Sequence, residues 1–257
     1  MLFQSFYVYL TLVGGFMLKE LGSLFSFLTI FPVGNTNLET VARHMYLFPI
    51  IGIIIGLIVG LVGFGLSLFL EPLIVSLVIV ALLTVITGIH HTDGLADFAD
   101  GLMVKGSHEK KLAAMKDIST GSAGITGVVL YVAGMIIGLS LSSGYDLFIA
   151  ILLSEILAKF SMVVMAAVGK SASQGSNSQF VALMKDRKKI ITACIFTLLP
   201  IIVLGNMGGL IAFVSVLFMT LFLVYISQRS FGGITGDVLG ATNELTRLFS
   251  VLIFVSI

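Results

Sequence analysis

The chain is a succession of long apolar runs separated by short polar connections. A helix needs roughly 20 apolar residues to cross the hydrocarbon core of a bilayer. Apolar length between breakers places spans near 45–69, 73–90, 122–143, 147–168, 190–205 and 208–227, with a last, short one from about residue 247 to the end. Residues 1–18 form a further apolar N-terminal segment: a span, an interfacial helix or an upstream extension. The expected fold is an all-α, polytopic integral membrane helical bundle of about 6–8 transmembrane helices, a single catalytic domain over residues 1–257.

Composition strengthens this reading. Hydrophobic residues make up 58% of the 257 and charged residues 11%, against about 25% charged in an ordinary soluble domain. There is too little polar surface to cover a water-soluble globule. The one cysteine, Cys194, rules out an intrachain disulfide, and no CxxC or His/Cys cluster suggests zinc. The basic residues form only short clusters, so no nucleic-acid partner is expected.

Charge then orients the bundle. The connections 19–43, 102–118, 170–189 and 228–247 hold 13 of the 14 basic residues. The alternate connections, near Glu71, Asp146 and "GNMGG", hold none. The positive-inside rule places the polar connections in the cytoplasm and the protein in the cell membrane. Most carboxylates crowd against that same face. A transporter needs polar groups near the midplane, open to either side, so the distribution favours an enzyme.

Three stretches carry candidate chemistry. In "HHTDGLADFADG", Asp93, Asp97 and Asp100 stand at i, i+4 and i+7, on one helical stripe. Gly94 and Gly101 would let a backbone or ligand approach. Three like charges call for a cation, and carboxylate-only ligands suit Mg²⁺ or Mn²⁺; the bland reading is a solvated helix end. His91 is a candidate base or a hydrogen-bonded structural histidine. In "MKDISTGSAG", Lys116 could meet a phosphate, and the amides around Gly121 and Gly124 could hold an anion at a helix N-terminus, or merely cap it. In "RSFGGITGDVLGATNEL", Asp237 and Glu244 flank Gly240 and Ala241 on one face, and Arg229 could reach a phosphate. Glu155 and Lys159, four apart in a span, read as an intramembrane ion pair or as a lysine reaching into the site. Gly52, Gly56 and Gly60 read as a packing stripe.

In combination these stretches resemble the adenosylcobinamide-GDP ribazoletransferase (cobalamin 5'-phosphate synthase) family. Its motifs H-x-D-G-L-A-D-x-x-D-G, M-K-D-x-x-x-G-x-x-G and G-G-x-T-G-D-x-L-G-A-x-x-E-L match His91–Gly101, Met115–Gly124 and Gly232–Leu245. "SFLTIFPVG" (Ser26–Gly34) is similar to the family's N-terminal segment, and the likeness covers about 22–250. Ile118 and Ser119 depart from the Ser-Arg that many members carry, which removes one phosphate-binding arginine.

The resemblance implies Mg²⁺-dependent transfer of adenosylcobinamide phosphate from adenosylcobinamide-GDP to α-ribazole or its 5'-phosphate, with release of GMP. Asp93, Asp97, Asp100 and Asp237 would hold metal, and Asp237 and Glu244 would complete a second site or supply a base. Lys116, Lys159 and Arg229 would contact pyrophosphate, with Gly121, Gly124, Gly232, Gly233 and Thr235 lining the substrate. His91 would take the acceptor's proton. Alternatives from other classes are a CDP-alcohol phosphotransferase, whose D-x-x-D-G-x-x-A-R pattern is only half present, and a cation-coupled transporter centred on Glu155 and Lys159. The oligomeric state stays open.

Overall fold

The computed structural model describes residues 18–34, 36–173 and 176–257. The apolar segment expected at residues 1–18 therefore lies almost wholly outside the described residues. The rest is helical, and only an isolated bridge between Ser171 and Ile234 pairs extended backbone. A helix over 18–28, α1, is followed by α2 (Leu38–His44), α3 (Phe48–Leu66), α4 (Pro72–Thr87), α5 (His90–Met103) and α6 (His108–Ala114). Then come α7 (Ser122–Ser140), α8 (Gly144–Val168), α9 (Ser176–Leu183), α10 (Arg187–Leu204), α11 (Asn206–Phe231) and α12 (Gly236–Phe254).

Long apolar helices sit where the hydrophobic runs put them, so the chain is an all-α membrane protein. Among the described residues, four helical stretches are long and apolar enough to cross a bilayer: 38–66, α7, α8 and α11. A fifth is obtained if α4 and α5, bent by 93° at their junction, make one broken span. This falls short of the expected 6–8, for identifiable reasons. α4 has 16 residues, about 24 Å of helix. α10 starts with Arg187, Lys188 and Lys189. α12 contains Asp237, Glu244 and Arg247.

α12 also corrects the expected last span. It begins at Gly236 rather than near 247, so the third motif is its first half rather than a connection before it. The charges that cut the apolar run in the sequence are folded inward, with Glu244 and Arg247 each 1% exposed.

α8 is the central post, with every side chain from Ala150 to Ala166 buried. α3 lies against it along the glycine stripe. A Cβ on Gly52 would stand 2.7 Å from the Glu155 carbonyl oxygen, and one on Gly56 would stand 2.8 Å from the Leu152 Cα. A Cβ on Gly60 would meet the Phe148 ring at 2.9 Å. Backbone-to-backbone packing of this kind is what small-residue stripes permit in membrane helices.

The 93° bend positions the first aspartate motif. Gly88 (φ 70°) and Ile89 (φ 66°) are both left-handed. That conformation is strained for a β-branched residue, at a cost of about 1–3 kcal/mol. The chain thereby leaves the direction of α4, and α5 packs against α7 and α12. A Gly56→Leu substitution should cost roughly 1–3 kcal/mol or more through overpacking, read as a lower midpoint of thermal unfolding in detergent. Gly65→Ala, where no atom lies within 4 Å of the added Cβ, should leave the midpoint unchanged or raise it.

Candidate active site

α5 and α12 cross with almost nothing between their backbones. A Cβ on Gly94 would lie 3.0 Å from both the Cα and the carbonyl oxygen of Asp237. On the facing helix, a Cβ on Gly240 would lie 3.2 Å from the His91 Cα. Glycine favours so close an approach, and it brings Asp93 and Asp97 within reach of the charge of Asp237. Thr235 caps α12, its hydroxyl accepting from the Val238 amide (3.2 Å) and donating to Asp237 (3.3 Å).

The cluster opens on both sides of α5. One cavity, of about 480 Å³, is bounded by His91, Asp93, Asp237 and Gly240 and walled by Phe27, Phe48 and Phe180. Phe27 stacks at 6.4 Å on Phe48 and 6.1 Å on Phe180. Ser26 and Phe27 bring the N-terminal "SFLTIFPVG" stretch into this wall. A second, apolar cavity of about 340 Å³ lies between α5 and α7, with Asp93, Thr92, Thr120 and Val129 in its lining. Asp93 borders both.

Asp97 is half-buried, and its carboxyl is pushed up to about 6, first by burial and then by the negative charges of Asp237, Asp93 and Asp100. Asp100 has a different task. Its two carboxylate oxygens accept from the amides of Gly121 (2.7 Å) and Gly124 (2.8 Å), capping α7. A Cβ at either glycine would come within 2.5 Å of that carboxylate. Asp100 thereby joins α5 to α7 and occupies the amides of Gly121 and Gly124 that were expected to hold an anion.

Lys116 is exposed, and its charge reaches Asp237. Arg229 is exposed at the end of α11, where its guanidinium donates to the Tyr225 hydroxyl and its carbonyl oxygen contacts the His108 ring. Gly232 (φ 76°) turns the chain from α11 towards α12. Gly233 lies where a Cβ would stand 2.5 Å from the Lys170 carbonyl oxygen. Ile234 donates its amide to that oxygen (2.7 Å) and accepts from Ala172 (3.1 Å), so the polar connection after α8 is fastened to the base of α12.

Beneath the cluster lies a sealed polar network that the sequence did not disclose as a unit. Arg247 donates to Glu155, to Glu244 and, at 3.0 Å, to the Tyr131 hydroxyl. Lys159 donates to Asn243 Oδ1 at 2.7 Å and to Glu155 at 3.4 Å. Two buried cations thus face two buried carboxylates from α8 and α12, and each has hydrogen-bonding partners, the condition under which buried charge is tolerable. Lys159 is 0% exposed. The pyrophosphate contact expected of it is replaced by its bonds to Glu155 and Asn243. Glu244, expected as a metal ligand or base, is an ion-pair partner below the cavity floor. Arg247, counted among the loop cations, belongs to the interior. The signal available in the sequence was two opposite-charge pairs, Glu155/Lys159 and Glu244/Arg247, at i,i+4 and i,i+3.

Comparison with known proteins identifies the arrangement. The family profile described as Cobalamin-5-phosphate synthase matches residues 20–255. The chain belongs to the Cobalamin-5-phosphate synthase family. An adenosylcobinamide-GDP ribazoletransferase of Methanocella arvoryzae is 33% identical over 255 residues, covering 92% of this chain and 95% of that one. Proteins of the same name from Methanococcoides burtonii (31% identical, 94% and 93% covered) and Pyrococcus abyssi (33%, 90% and 95%) are similar over comparable lengths. No solved structure matches. As a member of this synthase family the protein is a transferase of cobalamin synthesis, and all three motifs lie inside the matched region.

Two outcomes are expected. Arg247→Leu leaves Glu155 and Glu244 without their main counter-charge and should destabilise the fold by about 3–5 kcal/mol, measured by thermal or denaturant unfolding in detergent. In metal-free protein the Asp97 carboxyl should titrate near 6, followed by carbon-13 NMR of labelled aspartate. Asp237→Asn should move that titration down by removing one neighbouring charge. Because the folded-state value is raised, the fold holds a proton that the unfolded chain has lost, and stability falls as pH rises from about 4 to about 6.

Proposed function

We propose that this chain transfers the adenosylcobinamide phosphate moiety of adenosylcobinamide-GDP to α-ribazole or α-ribazole 5'-phosphate, forming adenosylcobalamin or its 5'-phosphate. The acceptor's primary hydroxyl oxygen forms a bond to the phosphorus nearer the cobinamide, the pyrophosphate bridge breaks, GMP leaves, and the hydroxyl proton passes to a carboxylate of the cluster. The observation that carries this reading is the close α5–α12 crossing, which sets Asp93 and Asp237 in the lining of an aromatic-walled cavity with Asp97 within reach of their charge. It is supported by the shared name of the full-length relatives.

The donor set fits Mg²⁺ in its chemistry, being carboxylate oxygens alone. Among the described residues, no three such side chains are already gathered around one point. Asp93, Asp97 and Asp237 would hold Mg²⁺, with Asp100 secured by its amides as their outer support. The chemistry such an ion would supply is positive charge to offset that developing on the leaving GMP. Lys116 is placed to add a cation on the same side, and the rings of Phe27, Phe48 and Phe180 offer flat apolar faces to an aromatic base. Arg229 serves the pyrophosphate only if a substrate draws it away from Tyr225. The basic connections at this end favour a cytoplasmic site in the cell membrane, reached by soluble nucleotides while the corrinoid lies against the bilayer.

The test is transfer by purified protein in lipid vesicles supplied with both substrates. GMP and the joined corrinoid should appear in equal amounts, stop on chelation and resume on adding Mg²⁺. Asp97→Asn should lower kcat/KM by about 100-fold or more, with an unfolding midpoint no lower than that of the parent protein. Folded protein that releases no GMP would overturn the assignment.

A further inference from the structure

His91 stands at the floor of the larger cavity, 9% exposed, between the carboxylate cluster and the buried network. Its protonation can be read from the groups around it. Lys159 can only donate a hydrogen bond, so the Asn243 atom 2.7 Å away from its Nζ must be the amide oxygen. That fixes the Asn243 amide, and Nδ2 then faces the other way. It donates to Glu244 Oε1 at 3.0 Å and points at His91 Nδ1 from 3.4 Å. An amide nitrogen is donor only, so the imidazole atom opposite it must be the acceptor. The acidic group nearest that nitrogen, Glu244 Oε1, is 3.9 Å away and already accepts from Asn243. His91 Nε2 makes no hydrogen bond among the described residues, and it is not one of the sealed, unsatisfied polar atoms. An unpartnered, unsealed nitrogen on a ring that lines the cavity has that cavity to open on.

We infer that the Lys159–Asn243 relay holds His91 as the neutral imidazole with its proton on Nε2, presented to the cavity as a hydrogen-bond donor. This reverses the role suggested by the sequence. A ring whose cavity-facing nitrogen already carries a proton cannot take one from the acceptor hydroxyl. It can donate to a phosphoryl oxygen of the bound substrate, and more strongly as that oxygen gains charge in the transition state. Asn243 and Lys159 act through His91 and are positioning residues. Where a phosphoryl group is concerned, the inference rests on the proposed transfer reaction; the tautomer itself does not.

Nitrogen-15 NMR of histidine-labelled protein in lipid nanodiscs at neutral pH, with the signal assigned by its loss in His91→Gln, reads the tautomer directly and requires no activity. A protonated Nε2 and a bare Nδ1 are expected; a proton on Nδ1, or on both nitrogens, overturns the inference. Asn243→Asp places an acceptor opposite Nδ1 and should move the proton to that atom; if the folded variant keeps the proton on Nε2, the relay is refuted. Activity separates donor from base. His91→Gln, whose amide can still donate, should retain at least about a tenth of kcat, whereas His91→Phe should lose about 100-fold, in keeping with loss of one transition-state hydrogen bond. Equal, severe loss in both folded variants would mean that His91 acts as a base. If no transfer activity exists at all, the proposed reaction fails while the NMR outcome still decides the tautomer.

Discussion

The close crossing of α5 and α12 at Gly94 and Gly240 is the constraint on which the site depends. A side chain at either position would press on the facing backbone, and the close approach is what sets Asp237 within reach of the charges of Asp93 and Asp97. Like charges resist this arrangement, so something else must hold the helices there. Asp100 locks α5 to α7 through two charge-assisted bonds to glycine amides. The bridge between residues 170–172 and Ile234 fixes the entry to α12. Repulsion is concentrated where the proposed chemistry needs it and is restrained from two sides.

Directly below, the opposite electrostatic solution appears. Glu155, Lys159, Glu244 and Arg247 are compensated within the apolar interior, and Tyr131 and Asn243 satisfy hydrogen bonds that the charges leave over. The two assemblies are continuous, because Asn243 and Glu244 sit next to His91. An uncompensated acidic layer facing the cavity thus rests on a neutral, rigid polar layer in the membrane. A buried network with every member partnered specifies one geometry, and the His91 ring rests against it.

Much of this was legible along the chain. Apolar run length gave six of the twelve described helices, α3, α4, α7, α8, α10 and α11, to within a few residues. The glycines of the first and third motifs marked a close approach, and close approach is what Gly94 and Gly240 provide. The i, i+4, i+7 spacing put the aspartates on one stripe of α5, and the glycine stripe of α3 packs as its period implies. Two features misled. Charge inside α12 read as a connection, because hydropathy counts each charge as exposed and cannot see its partner on another helix. Four basic or acidic side chains were given substrate or metal roles, or counted as loop charges, by residue type alone.

The sequence by itself determined the class of the protein, its helices, and the kind of chemistry its polar residues could do. Those properties follow from side-chain transfer free energies and from helical period, which are local. The tertiary structure decided which carboxylates repel one another at the α5–α12 crossing and which are partnered: Asp93, Asp97 and Asp237 in the first group, Asp100, Glu155 and Glu244 in the second. A carboxylate's role is set by what stands opposite it. For Asp100 that is an amide pair 21 and 24 residues away, and for Glu155 a guanidinium 92 residues away. Such partners meet only when the helices pack.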